Sequence, residues 1–177
     1  MRTTDFLGRE RRPRPFFSPE LMDDLQRIVP SLPGNGLEYR PCEVTLSSGV
    51  TDSYVYVVEV ESWFRAWGID PEDDKGKASL SVAEVVTIRE SPFRLPPNFA
   101  NEIYQGNEDG MGYFAFKVVL NDGQELECLT GNAIDLLEWP QGVTPGQVIR
   151  VVPHSTKAGP QSIVRSASFS WALYEQI

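Results

Sequence analysis

Apolar and polar positions alternate most cleanly near the C-terminus. Across residues 163–173, Ile163, Ala167, Phe169, Trp171 and Leu173 fall on one side, and Ser166, Ser168 and Ser170 on the other. A period of two with one apolar face predicts a half-buried strand. The same reasoning predicts a β-hairpin from the apolar run 113–120 and residues 124–130, which flank Asn121-Asp122-Gly123. Turn chemistry allows two registers. A two-residue Asp122-Gly123 loop would set Val118 against Glu127 and Lys117 against Cys128, mixing apolar and charged groups on both faces. A three-residue loop with Gly123 in the left-handed bulge position pairs Leu120 with Gln124, Val118 with Leu126, Phe116 with Cys128 and Phe114 with Thr130. Lys117 then meets Glu127 on the other face, and one face becomes uniformly apolar. The second register is predicted, with Phe116, Val118, Leu126 and Cys128 in the core.

Elsewhere the signals are local. Ser18-Pro19-Glu20 reads as a helix start, with Ser18 as N-cap and Pro19 at the first helical position. Leu21, Leu25, Ile28 and Val29 make its apolar stripe, and Pro30 and Pro33-Gly34 end it. Residues 42–46 and 54–60 predict a strand pair, with Cys42, Val44 and Leu46 on one face of the first. The β-branched run within residues 82–89 predicts another strand. A proline-rich connector then leads to a short helix over 97–105, stopped by Gly106 and packing Phe99 and Ile103. Asn132 is expected to cap a helix over 133–138, followed by a short strand over 148–152 and a polar loop over 153–160. Together these elements predict an α+β fold: a single domain with a mainly antiparallel twisted sheet of six to seven strands and two or three short helices. Residues 1–17, with an Arg-Pro alternation that cannot continue a helix or a sheet interior, are expected as a mobile tail ahead of a domain over 18–177.

Composition narrows the function without naming it. The chain has 177 residues, enough to bury a core without disulfides or metal, and no apolar run approaches membrane-spanning length. The absence of a signal-like apolar stretch and the two separated cysteines, Cys42 and Cys128, predict a cytoplasmic protein with buried free thiols. Charge is uneven. Residues 1–17 hold five arginines against two acids, a net of +3, which leaves −12 on the remainder of a chain whose formal charge is −9. So acidic a body disfavours nucleic acid and anionic membranes as partners and is compatible with a basic protein partner or simply with solubility, the commoner reason for such a charge.

Motifs that carry chemistry are sparse. Gly110-Met111-Gly112 precedes a strand where a nucleotide cradle would join a strand to a helix, so it reads as a turn. The cluster Asp70-Pro71-Glu72-Asp73-Asp74 fails as a calcium loop, with Lys75 where glycine is needed and Ser81 where glutamate is needed. One histidine, His154, and two distant cysteines argue against a structural zinc site, and no cofactor motif is present. A Cys128–His154–Asp135 nucleophilic set exists in inventory only.

Three function classes follow. The favoured one is a non-catalytic acidic protein-binding module, with Asp70, Glu72, Asp73, Asp74, Trp63 and Trp67 as partner-binding residues. In its sharper form it is an immunity or inhibitor protein for a basic enzyme, resembling small immunity proteins in size and charge alone. The second is a carboxylate-based hydrolase acting around Glu108, Asp109 and Asp135, since paired acids can converge from distant loops. The third is a self-associating component with an apolar patch around Trp63 and Trp67.

Overall fold

The computed structural model describes residues 4–155 and 163–177. In chain order the elements are α1 (Pro19–Gln26), β1 (Ser31–Gly34), β2 (Leu37–Leu46), β3 (Thr51–Glu59), α2 (Val60–Trp67), β4 (Ala78–Ser79) and β5 (Val85–Glu90). They continue with α3 (Pro97–Gln105), β6 (Phe114–Leu120), β7 (Glu125–Thr130), β8 (Val148–Pro153), β9 (Val164–Arg165) and β10 (Ser170–Tyr174). The fold is α+β. Instead of one mainly antiparallel sheet of six or seven strands, the described residues form ten strands in two mixed sheets. Contacts along the chain gather into two compact units: Met1–Ser91 with Phe169–Ile177, and Pro92–Ser168. The polar loop expected over 153–160 lies outside the described residues from residue 156 onward, as do the first three residues of the N-terminal segment.

The first unit carries a sheet in the order β1-β2-β3-β10-β4, with β5 also paired to β2. β2 and β3 are antiparallel, whereas β10 runs parallel to both β3 and β4. At the centre of β3, Val55, Tyr56, Val57 and Val58 are all buried, so both faces of this strand are covered. One face packs Cys42, Val44, Val55, Val57 and Ala172 under Leu25 of α1. The other packs Tyr39, Tyr56, Trp63 and Trp171, with ring centroids 4.8–5.6 Å apart where they touch. Local chemistry places the helices. The Ser18 hydroxyl accepts a bond from the Leu21 amide at 3.3 Å as the predicted N-cap, and the Glu59 carboxylate accepts from the Glu61 and Ser62 amides to start α2. Residues 31–34, expected only to stop the first helix, add the short strand β1 to β2.

The second unit carries the sheet β8-β6-β7-β9. Its hairpin has the predicted register: Phe114 pairs with Thr130, Phe116 with Cys128, Lys117 with Glu127 and Val118 with Leu126. The Leu120 amide donates to the Gln124 carbonyl at 2.9 Å, and Gly123 sits at φ +88° in the bulge position. α3 covers residues 97–105 as expected, with Ile103 buried and Phe99 partly so.

Two expectations fail for one physical reason. Residues 133–138 are not a helix: Ala133, Ile134, Asp135, Leu136 and Leu137 are buried in irregular backbone that bends at Asp135 and makes isolated bridges at Leu136 and Leu137. Their backbone is used sideways. The Leu95 amide donates to the Asp135 carbonyl at 2.8 Å, Ala167 donates to Leu136 at 3.0 Å, and Glu138 donates to Arg165 at 2.8 Å. Asn132 caps nothing, and its Oδ1 is buried without a partner among the described residues. The alternating C-terminal segment is likewise not one strand. It breaks into β9, paired with β7, and β10, paired with β3 and β4. A local pattern records how buried a segment is, but not which neighbour buries it.

Replacing Gly123 with alanine should cost about 1–2 kcal/mol, because an L-residue is strained at this φ although no atom lies within 4 Å of the added Cβ. Urea unfolding would read this as a lowered midpoint at constant slope. An unchanged midpoint would show that the turn does not use the left-handed conformation in solution.

Candidate functional site

The acidic cluster and the arginine-rich segment, treated separately in the sequence, meet in the first unit. Pro71–Asp73 forms a short 3-10 turn in which the Asp73 amide donates to the Asp70 carbonyl at 3.0 Å, fanning the carboxylates along a ridge. Arg14 grips two of them. Its Nη2 donates to Asp70 Oδ1 at 2.6 Å, while Nη1 and Nη2 form a fork on Glu72 at 2.5 and 2.7 Å. Arg12 donates through Nη2 to Asp73 at 2.8 Å and through its backbone amide to Asp70 at 3.1 Å. Arg9 reaches Asp73 at 3.7 Å and is itself held by Asp5 at 2.8 Å. Arg11 pairs with Glu175 at 3.3 Å. A planar guanidinium matches a carboxylate in two directions, which makes the Arg14–Glu72 pair geometrically specific. The Arg14 fork holds the Glu72 carboxyl below its usual range, against an opposing contribution from burial. Asp74, the outer member of the cluster, pairs with Lys77 at 2.5 Å, and Lys77 lies over the Trp67 ring.

The described residues of the segment expected as a mobile tail therefore make fixed contacts with this unit. Phe17 is buried 5.3 Å from the Tyr174 ring, Glu175 donates its amide to the Pro15 carbonyl, and the Phe6 amide donates to Gly68. Charge complementarity between residues 9–14 and 70–73 was visible in the sequence. What was missing was the fold that brings them together. Of the two tryptophans, Trp63 is fully buried, its indole donating to the Ile69 carbonyl at 2.9 Å, and so offers no surface to a partner. Trp67 is half-buried, with its ring centroid 5.7 Å from Trp63.

The three acids considered for hydrolysis occupy different environments in the second unit. Asp135 is fully buried and accepts from the Tyr104 hydroxyl at 2.7 Å, and that hydroxyl accepts in turn from the Ile134 amide. Glu108 is exposed and accepts from the Gly112 amide at 3.1 Å. Asp109 accepts from the Ala115 amide at 2.7 Å, anchoring the start of β6. A groove in the same unit, lined by Tyr113, Leu129, Thr130, Gly131, Arg165 and Ser166, includes none of the three. Cys128 packs on the hairpin face, where burial pushes its thiol up to about 12, and it is no nucleophile at neutral pH. Among the described residues no group of three or more His, Cys, Asp or Glu could hold a metal ion.

One feature escaped the sequence reading. His154, at φ +57°, places Nδ1 2.7 Å from Asp109 and Nε2 2.7 Å from the Gly106 carbonyl. Both neighbours are acceptors, so the ring satisfies both only as an imidazolium. The Asp109 bond, then the Gly106 bond, raise its pKa. Comparison with known proteins gives no match: no family model fits the chain, and no curated protein or solved structure is significantly similar to it.

Two predictions follow from these pairs. Arg14→Ala should destabilise the protein by about 2–3 kcal/mol, less than a fully buried pair because Glu72 stays partly hydrated. Arg12→Ala, whose side chain is half exposed, should cost under about 1 kcal/mol. Denaturant unfolding separates the two, and faster trypsin cleavage within residues 9–12 of the Arg14 variant alone would report release of the segment. His154 should titrate above its ordinary 6.5 by NMR. Since its folded pKa is raised, its stabilising contribution is complete below the unfolded value and fades as pH rises through the folded one. His154→Gln should abolish that pH dependence, and a titration at or below 6.5 would refute the double-acceptor geometry.

Proposed function

We propose that the protein is a non-catalytic, acidic protein-binding module that takes an arginine-rich segment of a basic partner on the ridge formed by Asp70, Glu72 and Asp73. The observation that carries this reading is the ridge's present occupant. The chain's own Arg12 and Arg14 sit on it through backbone and forked side-chain bonds, so its geometry accepts a basic peptide. A partner segment would replace residues 9–14, and the internal segment then acts as a competitor that keeps the ridge closed to weakly basic proteins. Trp67 and Asp74 flank the ridge and would extend the contact. The separate structural roles of Glu108, Asp109 and Asp135 support a role without catalysis, and the two free, buried cysteines fit a reducing cytoplasmic setting. Inhibition of, or immunity to, a basic enzyme is the form of the activity most compatible with this charge pattern.

A labelled peptide with the sequence of residues 9–14 tests the idea by fluorescence anisotropy. Arg14→Ala, which releases the internal segment from Asp70 and Glu72, should bind it more tightly than the unaltered chain. Glu72→Gln with Asp73→Asn should weaken binding by at least about tenfold, and added salt should weaken it further. Undetectable binding to the Arg14 variant, or binding indifferent to salt and to the loss of both acids, would overturn the proposal.

A further inference from the structure

One end of the layer between α1 and the sheet of the first unit is polar, and side-chain parity explains why. Glu38 and Arg40 share the face of β2 that carries Cys42 and Val44 further along. Glu59 shares the Val55 and Val57 face of β3, and Tyr174 the Ala172 face of β10. Register then aligns them. Tyr174 stands opposite Glu59, Arg40 stands opposite Val57, and continuing that antiparallel register by two residues brings Glu38 level with Glu59. Three strands thus set Glu38, Glu59 and Tyr174 in one row with Arg40 beside it. With Gln26 of α1 and Ser62 of α2 they line a cavity of about 280 Å³, near the lower bound for small-molecule sites.

The hydrogen bonds inside this cavity are incomplete in a specific way. Arg40 Nε donates to the Ile28 carbonyl at 3.1 Å and Nη1 lies 3.0 Å from Glu38, while Nη2 has no partner among the described residues. The Tyr174 hydroxyl also has none, although the residue is only 6% exposed, and burial keeps it protonated as a donor. The Glu59 carboxylate accepts three bonds from the start of α2 and has acceptor capacity to spare. Glu38 is half exposed, with Arg40 beside it. Two free donors therefore stand beside two like-charged carboxylates, an arrangement that favours a ligand carrying both a cation and an anion, and Arg65 Nη1 lies close to Gly36 at the cavity's edge. A simple anion would meet both glutamates, and a simple cation would leave Arg40 and Tyr174 unsatisfied.

We propose that this cavity binds a free α-amino acid, with the carboxylate held by Arg40 Nη2 and the Tyr174 hydroxyl and the ammonium held by Glu38 and Glu59. The inference is independent of the acidic ridge, which shares none of these residues. The volume admits one small zwitterion, and Gln26 and Gln176, which also line the cavity, offer polar groups to its side chain.

Isothermal titration of the full chain with a panel of proteinogenic amino acids, including L-alanine and L-glutamine, tests it. Ethylamine and propionate serve as the analogues of alanine that lack one charged group each. At least one amino acid should give saturable heat, and both truncated analogues should bind at least about tenfold more weakly than alanine or not at all. Tyr174→Phe, which keeps the packing against Phe17, and the half-exposed Glu38→Gln should each weaken binding about tenfold with an unchanged melting temperature. Arg12→Ala should leave amino-acid binding unaltered. No saturable heat with any amino acid, equal binding of ethylamine or propionate, or full binding by both cavity variants would each overturn the proposal.

Discussion

Water reaches neither face of β3 at its centre, nor most of β6, and covering these two strands dictates the layers around each of them. Along β3, Val55 to Val58 are buried without interruption, and in β6 only Lys117 keeps appreciable exposure. Burying such side chains contributes about 1.5–3 kcal/mol apiece. It also removes the backbone from water, so every amide and carbonyl along the strand needs a partner on one edge or the other. β3 is completed by β2 and β10, and β6 by β7 and β8. The first unit is therefore closed by a strand from the end of the chain, and α1 and α2 are required to cover the two faces that this pairing creates.

Charge follows from the same constraint. The formal charge of −9 does not describe a uniformly acidic surface, because several acids are consumed inside the units. Asp70 and Glu72 are held by Arg14. Glu43 is buried on β2, where Arg89 and Ser53 bond it and hold its carboxyl low, the Ser53 bond contributing most. Such pairs gain modestly when exposed and exact a large cost when one partner is lost from a buried site, so they specify arrangement more than they add net stability. The N-terminal arginines act in this sense as structural counter-ions for a ridge that would otherwise repel itself.

What was legible in the sequence is what a short stretch decides alone. The Ser18-Pro19 start of α1, the limits of α3 and the register of the β6–β7 hairpin each follow from caps, turns and cross-strand pairs within about 20 residues, where the partners are fixed by the chain itself. Parity also told which side chains share a face. Tertiary structure alone decided which segments become neighbours. Residues 133–138 have the composition of a short helix, yet they run as irregular chain because other segments supply their hydrogen bonds. Residues 9–14 look like a solvated terminus, yet they dock because the turn at 71–73 presents carboxylates to them. Glu38, Glu59 and Tyr174 form one row only because β10 inserts beside β3, over a hundred residues along the chain. Local periodicity measures how much of a residue must leave water. It holds no record of the distant group that removes it, and that long-range choice is what places every candidate site in this protein.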